Sequence, residues 1–370
     1  MCNAALAAIY YGHMRSLLPF LAFLSAVLVF PLSLAAAPDD PARAIALDAA
    51  TQLERFYVFP SRAQSAAAML RANEAAGAYD GLSGDDLARR LTSDLAPVLH
   101  DQHVRVHYSI DVLPPASASG TASSPEESAA EARFQREIGY GLGRVAHLPG
   151  NVGYLDLRFF PSDSPESNAV IDGMANAVAY SNAIVLDLRR NGGGDSDGIA
   201  RLLSHFLPPK THLNDFLGRG DADARVTAST YTAVVPGPPI AAPLFVLTSS
   251  HTFSGAEECA YDVQALKRAT LVGEVTGGGA NPGRPHRLDD HFDIFVPSGR
   301  ARNPITQTNW EGTGVKPDVA VSQDRALATA YAMALTGLGS DTALGTEERT
   351  RLEGIRSSLP TMDDAKILSL

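Results

Sequence analysis

Cysteine and positive charge are both scarce in this sequence, and each shortage limits what the protein can be. The 370 residues include two cysteines, and 30 lysines and arginines stand against 41 acidic residues, for a formal net charge of −11. Nucleic acid is therefore not an expected partner, because affinity for it comes mostly from cationic contacts with phosphate. No repeat of roughly 20–50 residues is visible, which argues against a solenoid. Apolar residues make up 45% of the chain, enough for a substantial core.

The first 37 residues have the pattern of an export signal. Arg15 closes a short leading segment, Leu17–Leu34 is almost entirely apolar, and Ser33–Ala37 offers small residues for cleavage. A retained membrane anchor is the alternative, since the apolar stretch approaches spanning length. Pro19 and Pro31 favour cleavage. We therefore predict an exported protein, periplasmic or extracellular, with no stable membrane insertion after cleavage.

Removal of that segment would leave a single cysteine. Cys2 would be lost with the signal, so the mature chain could form no internal disulfide. Cys259 lies in a segment with helical periodicity and is expected to be a small core residue. A catalytic thiolate there lacks any neighbouring group that would activate it.

Periodicity divides the rest of the chain into four parts. They are an N-terminal helical domain (38–112), a flexible linker rich in Pro, Ser and Ala (113–129), an α/β core (130–337) and a C-terminal helical tail (338–370). Helices are predicted at Pro41–Phe56, Ser61–Ala75, Ser83–Leu99, Ser164–Tyr180, Asp197–Phe206, Gly255–Leu266, Gln323–Leu335 and Thr346–Ile355. Strands are predicted at His103–Ser109, Val152–Leu157, Ala183–Leu188, Leu244–Thr248, Thr270–Val275 and Phe292–Val296. Strands alternating with amphipathic helices indicate a layered α/β fold.

Ser254 stands where a buried strand hands over to a helix. The apolar run 243–247 precedes it and the helical pattern from Glu257 follows it. A hydroxyl at that position lies near unpaired backbone N–H groups that can stabilise an oxyanion, as a nucleophile requires. The α/β-hydrolase elbow is excluded, because Thr252 and Ala256 stand where it needs glycine. A Ser-x-x-Lys arrangement is excluded by Glu257.

Several blocks together resemble the tail-specific (C-terminal-processing) serine protease family, in the branch of the tricorn protease core and the interphotoreceptor retinoid-binding protein modules. The blocks are Gly150–Leu155, Leu186–Gly194, Thr252–Glu257, Leu271–Glu274 and Trp310–Asp318, in the family's order. Each is weak alone and the set is specific. The resemblance implies a ClpP/crotonase-like layered core. The linker is too short to hold a PDZ domain, so none is expected.

The family has two catalytic versions, and this sequence departs from one of them. The Ser–Lys version places its lysine 25 residues after the serine, where this chain has Gly279. Lys267 cannot substitute, because it lies 13 residues along the predicted helix from Ser254, about 20 Å away. The tricorn-like version is the one that the sequence favours.

That version implies a Ser-His-Glu site here. His103, in the block Leu99–Val104, matches the family's histidine, and Glu311 matches its acidic residue. Imidazole, with a reference pKa of about 6.5, suits a general base, and a carboxylate can orient it. Gly193 and Gly255 would supply the oxyanion N–H groups. The tricorn core has a serine directly before its histidine and this chain has Gln102, so direct or water-mediated contact between histidine and glutamate stays open.

Other interpretations compete at each position. Ser254 could be a helix cap, and Glu311 a surface carboxylate. His100, His107 and His251 compete with His103. The triple glycine 192–194 lacks the flanking residues of a phosphate-binding motif, and the spacing in 286–291 fits no standard zinc site.

The sequence therefore predicts an exported serine endopeptidase that cleaves peptide or protein substrates and needs neither cofactor nor metal. A catalytically silent binding module on the same fold, for retinoid, fatty acid or peptide, is the rival. An esterase with the same residues is a third possibility.

Overall fold

A computed structural model of the chain describes residues 41–113, 125–339 and 344–370. The predicted signal segment, 1–37, lies outside the described residues, and so does most of the predicted linker, 114–124. Among the helices of the described ranges, none has both the length and the apolar character that crossing a membrane requires.

The helices of these ranges follow the periodicity of the sequence closely. They are α1 (Pro41–Phe56), α2 (Pro60–Ala75), α3 (Gly84–Leu99), α4 (Pro125–Glu137), α5 (Pro165–Ala177), α6 (Ser196–Leu203), α7 (Gly255–Ala265), α8 (Gln323–Gly339), α9 (Thr346–Ser358) and α10 (Asp364–Ile367). Helix α4 begins within the segment predicted as linker, and α8 runs past the predicted start of the tail.

The strands form three sheets. They are β1 (Arg105–Tyr108), β2 (Leu142–Leu148), β3 (Val152–Leu157), β4 (Ala183–Asp187), β5 (His212–Leu217), β6 (Val226–Tyr231), β7 (Leu244–Thr248), β8 (Ala269–Gly273), β9 (Gly283–Arg287), β10 (Phe292–Pro297), β11 (Arg300–Arg302) and β12 (Val319–Ala320). The central sheet has the order β12-β8-β7-β4-β3-β2, parallel except for β2. Two three-stranded antiparallel sheets have the orders β1-β10-β9 and β11-β5-β6.

The central sheet is covered on both faces, which is why β3, β4 and β7 are apolar without alternation. On one face Leu155, Leu186 and Val246 pack against α5, α6 and α7. On the other face the alternate residues of the same strands pack against α8 and the tail helices, where Leu352 and Ile367 are buried. The predicted class, an α/β core preceded by helices, is confirmed.

The N-terminal helices have a core of their own, and a strand pair ties it to the rest. Helices α1–α3 pack against β1 and β10. Strand β10 was predicted as part of the α/β core, and it instead pairs with β1, Arg105 lying opposite Phe295. This pairing brings the corner between α3 and β1, where His103 lies, towards the end of the central sheet.

Candidate active site

Ser254 lies in the turn that joins β7 to α7, at the carboxyl end of the central sheet. Its backbone adopts φ 52° and ψ −123°, a conformation that costs a non-glycine residue on the order of 1–3 kcal/mol. The turn is held to the neighbouring loop after β4. Thr252 Oγ1 donates to Leu188 O at 2.8 Å, and Phe253 N donates to Asn191 O at 3.1 Å. Hydrogen bonds to the loop after β4 therefore hold the strained turn in place.

Glu257, in the first turn of α7, holds Ser254 from the other side. Its buried carboxylate accepts hydrogen bonds from Ser254 N at 2.9 Å, Gly278 N at 2.6 Å and Gly279 N at 2.7 Å, and from the Thr276 hydroxyl. Burial raises the pKa of Glu257, while these four donors lower it. The carboxylate thus joins the nucleophile turn to the loop 276–280.

His103 reaches Ser254 from the corner between α3 and β1. Its Nε2 lies 3.0 Å from Ser254 Oγ, although 151 residues separate the two in sequence. The imidazole is 9% exposed and its ring centroid lies 4.6 Å from that of Phe253. The three competing histidines, His100, His107 and His251, are all exposed.

The structure leaves no room for a side chain at Gly279, the position where the Ser–Lys version would have its lysine. A Cβ there would lie 2.5 Å from Cε1 of His103 and 2.4 Å from Cζ of Phe253. Real Cβ atoms do not approach so closely, so the imidazole and the phenyl ring already fill the space next to this residue. Gln102, the departure from the tricorn pattern, donates from Nε2 to Gly277 O at 2.7 Å and holds the His103 corner to the same loop.

Glu311 lies close to the imidazole without a hydrogen bond to it. Its Oε2 accepts from Ala280 N at 2.6 Å, whereas Oε1 is buried and has no hydrogen-bond partner among the described residues. Burial raises the pKa of the carboxyl to about 8, with a further contribution from the negative charge of Asp101.

Asp101 lies next to Nδ1, the ring nitrogen of His103 that does not contact Ser254. Its Oδ1 lies 3.7 Å from His103 Nδ1 and accepts the backbone N–H of His103 at 3.0 Å. Its Oδ2 accepts from Tyr57 Oη at 3.2 Å and from Asn281 Nδ2 at 2.9 Å. One donor atom from each of Asp101, His103 and Glu311 lies within 4.8 Å of the other two.

The two predicted oxyanion glycines meet beside Ser254. A Cβ on Gly193 would lie 2.8 Å from Ser254 Cβ and 3.0 Å from Gly255 N. Gly255 begins α7, so its N–H has no acceptor within the helix. The N–H of Gly193 instead donates to Asn191 Oδ1 at 2.8 Å. In this structure the N–H of Gly255 is therefore free of any acceptor within its helix, whereas the N–H of Gly193 is already used in a hydrogen bond.

His286, His291 and Cys259, which were weighed as metal ligands or a nucleophile, lie in packed or hydrogen-bonded surroundings. His286 is buried and stacks on Phe56 with ring centroids 4.2 Å apart, and burial lowers its pKa to about 4. His291 Nδ1 lies 3.0 Å from the carbonyl of Ser109. Cys259 is buried, and burial raises the pKa of its thiol, as expected of a core residue.

Comparison with known proteins bears on the family and the fold. Residues 151–321 match the model of Peptidase family S41. The match covers 171 of the 370 residues, and over this segment the chain is similar to peptidase family S41. The matched S41 segment contains Ser254, Gly193 and Glu311, and it begins after His103 and Asp101, which the β1–β10 pairing supplies.

Two curated S41 relatives come from Arabidopsis thaliana. Carboxyl-terminal-processing peptidase 2, chloroplastic, is 29% identical over 182 residues, 47% of this chain and 34% of the relative. Carboxyl-terminal-processing peptidase 1, chloroplastic, is 28% identical over 184 residues, 50% of this chain and 36% of the relative. The chain thus aligns with about a third of the length of each.

Solved structures share the fold of this chain at low sequence identity. A candidate peptidase from Parabacteroides merdae is similar with a TM-score of 0.55 and 18% identity, over 83% of this chain and all of that one. Mature CPAF in complex with lactacystin is similar with a TM-score of 0.50 and 13% identity, over 86% of this chain and 99% of that one. These likenesses concern the fold.

Sequence reasoning gave no role to Asp101 or Glu257. Each of them accepts several hydrogen bonds at the site. Asp101 carries a recognisable signal, because an aspartate two residues before a backbone N–H commonly forms a local turn with it. Glu257 carries the signal of an acidic residue in the first turn of a helix. That its other three donors come from the loop 276–280 could not be read from the sequence.

Proposed function

We propose that this chain is a serine peptidase that hydrolyses peptide bonds through an acyl-enzyme on Ser254. The observation that carries the proposal is the 3.0 Å contact between Ser254 Oγ and His103 Nε2, within the range expected of a nucleophile and its base. The strained turn supports it, since strain of this kind clusters at functional sites.

The proton path follows from the geometry. For Nε2 to accept the Ser254 proton, the neutral imidazole of His103 must carry its own proton on Nδ1. That atom lies 3.7 Å from Asp101 Oδ1, and Glu311 belongs to the same cluster of donor atoms. The proton moves from Oγ to Nε2 as Oγ attacks the carbonyl carbon, and it passes to the leaving amine when the C–N bond breaks. Water then repeats the attack on the acyl-enzyme with the same base.

Two carboxylates would stabilise the imidazolium, rather than Glu311 alone. Because burial and the charge of Asp101 raise the pKa of Glu311 to about 8, we propose that the pair carries one proton near neutral pH. The remaining negative charge lies within a few ångströms of Nδ1 and favours the protonated ring.

The oxyanion would be held first by Gly255 N–H, at the positive end of the α7 dipole. Gly193 N–H joins it in the proposal only after exchanging Asn191 Oδ1 for the substrate oxygen. We therefore propose that substrate binding completes the oxyanion hole.

The decisive test compares wild type with Ser254→Ala. Wild type should react with a fluorophosphonate probe at Ser254 and should hydrolyse a casein substrate, and the variant should do neither while keeping the same unfolding midpoint. Casein turnover by the variant would sink the assignment. No labelling of wild type, together with tight binding of retinol or fatty acid, would favour a binding module. Turnover of esters with none of peptides would favour an esterase.

Export belongs to the proposal as well, on the strength of the sequence pattern in residues 1–37. Expression of the full chain in a bacterial host, followed by fractionation and N-terminal sequencing, tests it. Removal of about 37 residues with recovery outside the cytoplasm is expected. An uncleaved chain in the membrane fraction would support the retained anchor.

A further inference from the structure

Two residues with donor atoms close together beside the nucleophile, His103 and Glu311, each have a buried polar atom without a partner in the described ranges. His103 Nδ1 and Glu311 Oε1 are both buried, and neither has a hydrogen-bond partner among the described residues. The side chain of His103 is 9% exposed and that of Asp101 is 1% exposed. Buried polar atoms are normally satisfied, so two such atoms in one cluster of ligand-type side chains point to something that binds there.

The third donor makes the group a cation site in composition and spacing. Asp101 Oδ1 lies 3.7 Å from His103 Nδ1, and one donor atom of Glu311 lies within 4.8 Å of one donor atom each of Asp101 and His103. Donors placed tetrahedrally around zinc, at 2.0–2.2 Å from the ion, are about 3.4 Å apart. The Asp101–His103 edge is therefore close to that spacing, and Glu311 would need to move inward. Its free Oε1 can do so while Oε2 keeps Ala280 N.

The chemistry of the donors selects the ion. Zinc binds both imidazole nitrogen and carboxylate oxygen, the two ligand types present here, whereas calcium and magnesium prefer sites built of oxygen alone. Two carboxylates also supply up to two negative charges, which a divalent cation neutralises and which otherwise repel one another. Asp101 keeps a free lone pair on Oδ1 after accepting the His103 backbone N–H.

We propose that Asp101, His103 Nδ1 and Glu311 form a binding site for Zn²⁺, and that zinc bound there switches the peptidase off. The second half of this inference depends on the proposed function. When the Nδ1 lone pair binds the ion, the single proton of the neutral ring lies on Nε2. Nε2 then donates to Ser254 Oγ and cannot accept its proton. Any proton held by the two carboxyls is released to solvent, so charge and atoms balance.

The binding test uses the Ser254→Ala chain without any affinity tag, so that it does not depend on activity. Equilibrium dialysis against ZnCl₂ should give one tightly bound zinc per chain. Asp101→Asn, His103→Ala and Glu311→Gln, each added to that chain, should weaken binding at least tenfold, since even an outer-shell change costs roughly 10–100-fold. His107→Ala is the matched control, because His107 Nδ1 lies at the same 3.7 Å from Asp293 with no third donor grouped with it in the described ranges. It should leave binding unchanged.

A second measurement avoids the variants, in case one of them fails to fold. Co²⁺ in place of Zn²⁺ should give the intense visible absorption of a four-coordinate site, which Zn²⁺ then removes. Absence of stoichiometric zinc, or equal binding by all three ligand variants and the control, would overturn the site.

The inhibitory half is measured on wild type. Zn²⁺ should slow fluorophosphonate labelling of Ser254 at least tenfold, and a chelator should restore it. Labelling that bound zinc leaves unchanged would overturn the switch and spare the peptidase. Zinc bound by a chain that the probe never labels would instead keep the site and count against the proposed function.

Discussion

The imidazole of His103 occupies the space that a side chain at Gly279 would need: a Cβ there would lie 2.5 Å from Cε1 of the ring. In the Ser–Lys version of the resemblance this position holds the base. In the proposed site the base is His103, from the corner between α3 and β1, and the residue at 279 has no side chain to obstruct it. The two arrangements are mutually exclusive for steric reasons.

Gly279→Ala should therefore inactivate the protein while leaving it folded. The new methyl group would push His103 or Phe253 aside, and a displacement of about 1 Å at a reacting group can cost 10²-fold in rate. We expect the second-order rate of fluorophosphonate labelling to fall at least that far. Gly173→Ala, in α5 where a Cβ would meet nothing within 4 Å, is the control. A fully active Gly279→Ala would contradict the described position of His103.

The two carboxylates should act as a unit. Asp101→Asn and Glu311→Gln each remove one of the two carboxyls that share a single negative charge beside the imidazolium, so each should lower kcat on the order of 10²-fold. Because they act on one ring, the double variant should be no more than about tenfold below the worse single variant, far from the product of the two losses. Steady-state kinetics on a peptide substrate measures all three. Asp293→Asn, beside the exposed His107, should have no effect. Multiplicative losses would show independent roles.

The fold could be predicted further from the sequence than the site could. Apolar runs with strand and helix periodicity marked β3, β4, β7 and α7 almost to the residue, because burial on both faces leaves a local pattern. Strands such as β5 and β6 were missed, since their exposed and irregular faces leave none.

Within the site, the sequence named Ser254, His103 and Glu311 as candidates, but not the long-range contacts that bring them together. Ser254 stands at a strand-to-helix junction and could be identified alone. The pairing of β1 with β10, which places His103 and Asp101 beside Glu311, depends on a register across 184 to 190 residues and has no local trace. The hydrogen bond from Gly193 N–H to Asn191 is likewise a property of the folded loop.

A buried acidic pair on α7 should make stability depend on pH. Glu258 and Asp262 are both buried, and Asn214 Nδ2 donates to both. Burial raises the pKa of Glu258 to about 7, and burial together with the neighbouring Glu258 raises that of Asp262. Between roughly pH 4.5 and 7 the folded chain therefore holds a proton at Glu258 that the unfolded chain has released, so stability falls as pH rises.

From Glu258 alone the free energy of unfolding should drop by about 2–3 kcal/mol between pH 5 and pH 8. Glu258→Gln removes this titration and keeps the size of the side chain, so its stability should fall less over the same range. Urea unfolding at half-unit pH steps measures both. A variant that loses as much stability as wild type would mean that Glu258 ionises in the folded chain as readily as in water.

An ion pair joins the C-terminal helix α10 to the segment after β4, which leads into the loop containing Gly193. Arg189, directly after β4, is buried and pairs with Asp187 at 2.5 Å and with Asp364 of α10 at 2.7 Å, while its Nη1 donates to Gln323 O. The two partners differ in burial: the side chain of Asp187 is 1% exposed and that of Asp364 is 35% exposed.

Arg189→Ala should consequently destabilise the chain much more than Asp364→Asn. The first leaves Asp187 buried without its cationic partner, a loss of about 3–5 kcal/mol. The second removes a partly exposed partner while Asp187 still neutralises the arginine, at a cost of about 1 kcal/mol after allowance for solvent screening. Guanidinium unfolding compares them, with Glu353→Gln in the exposed pair with Arg356 as a control near zero. Equal losses for the two variants would mean that the helix α10 contact, rather than the buried Asp187 pair, dominates the energetics of Arg189.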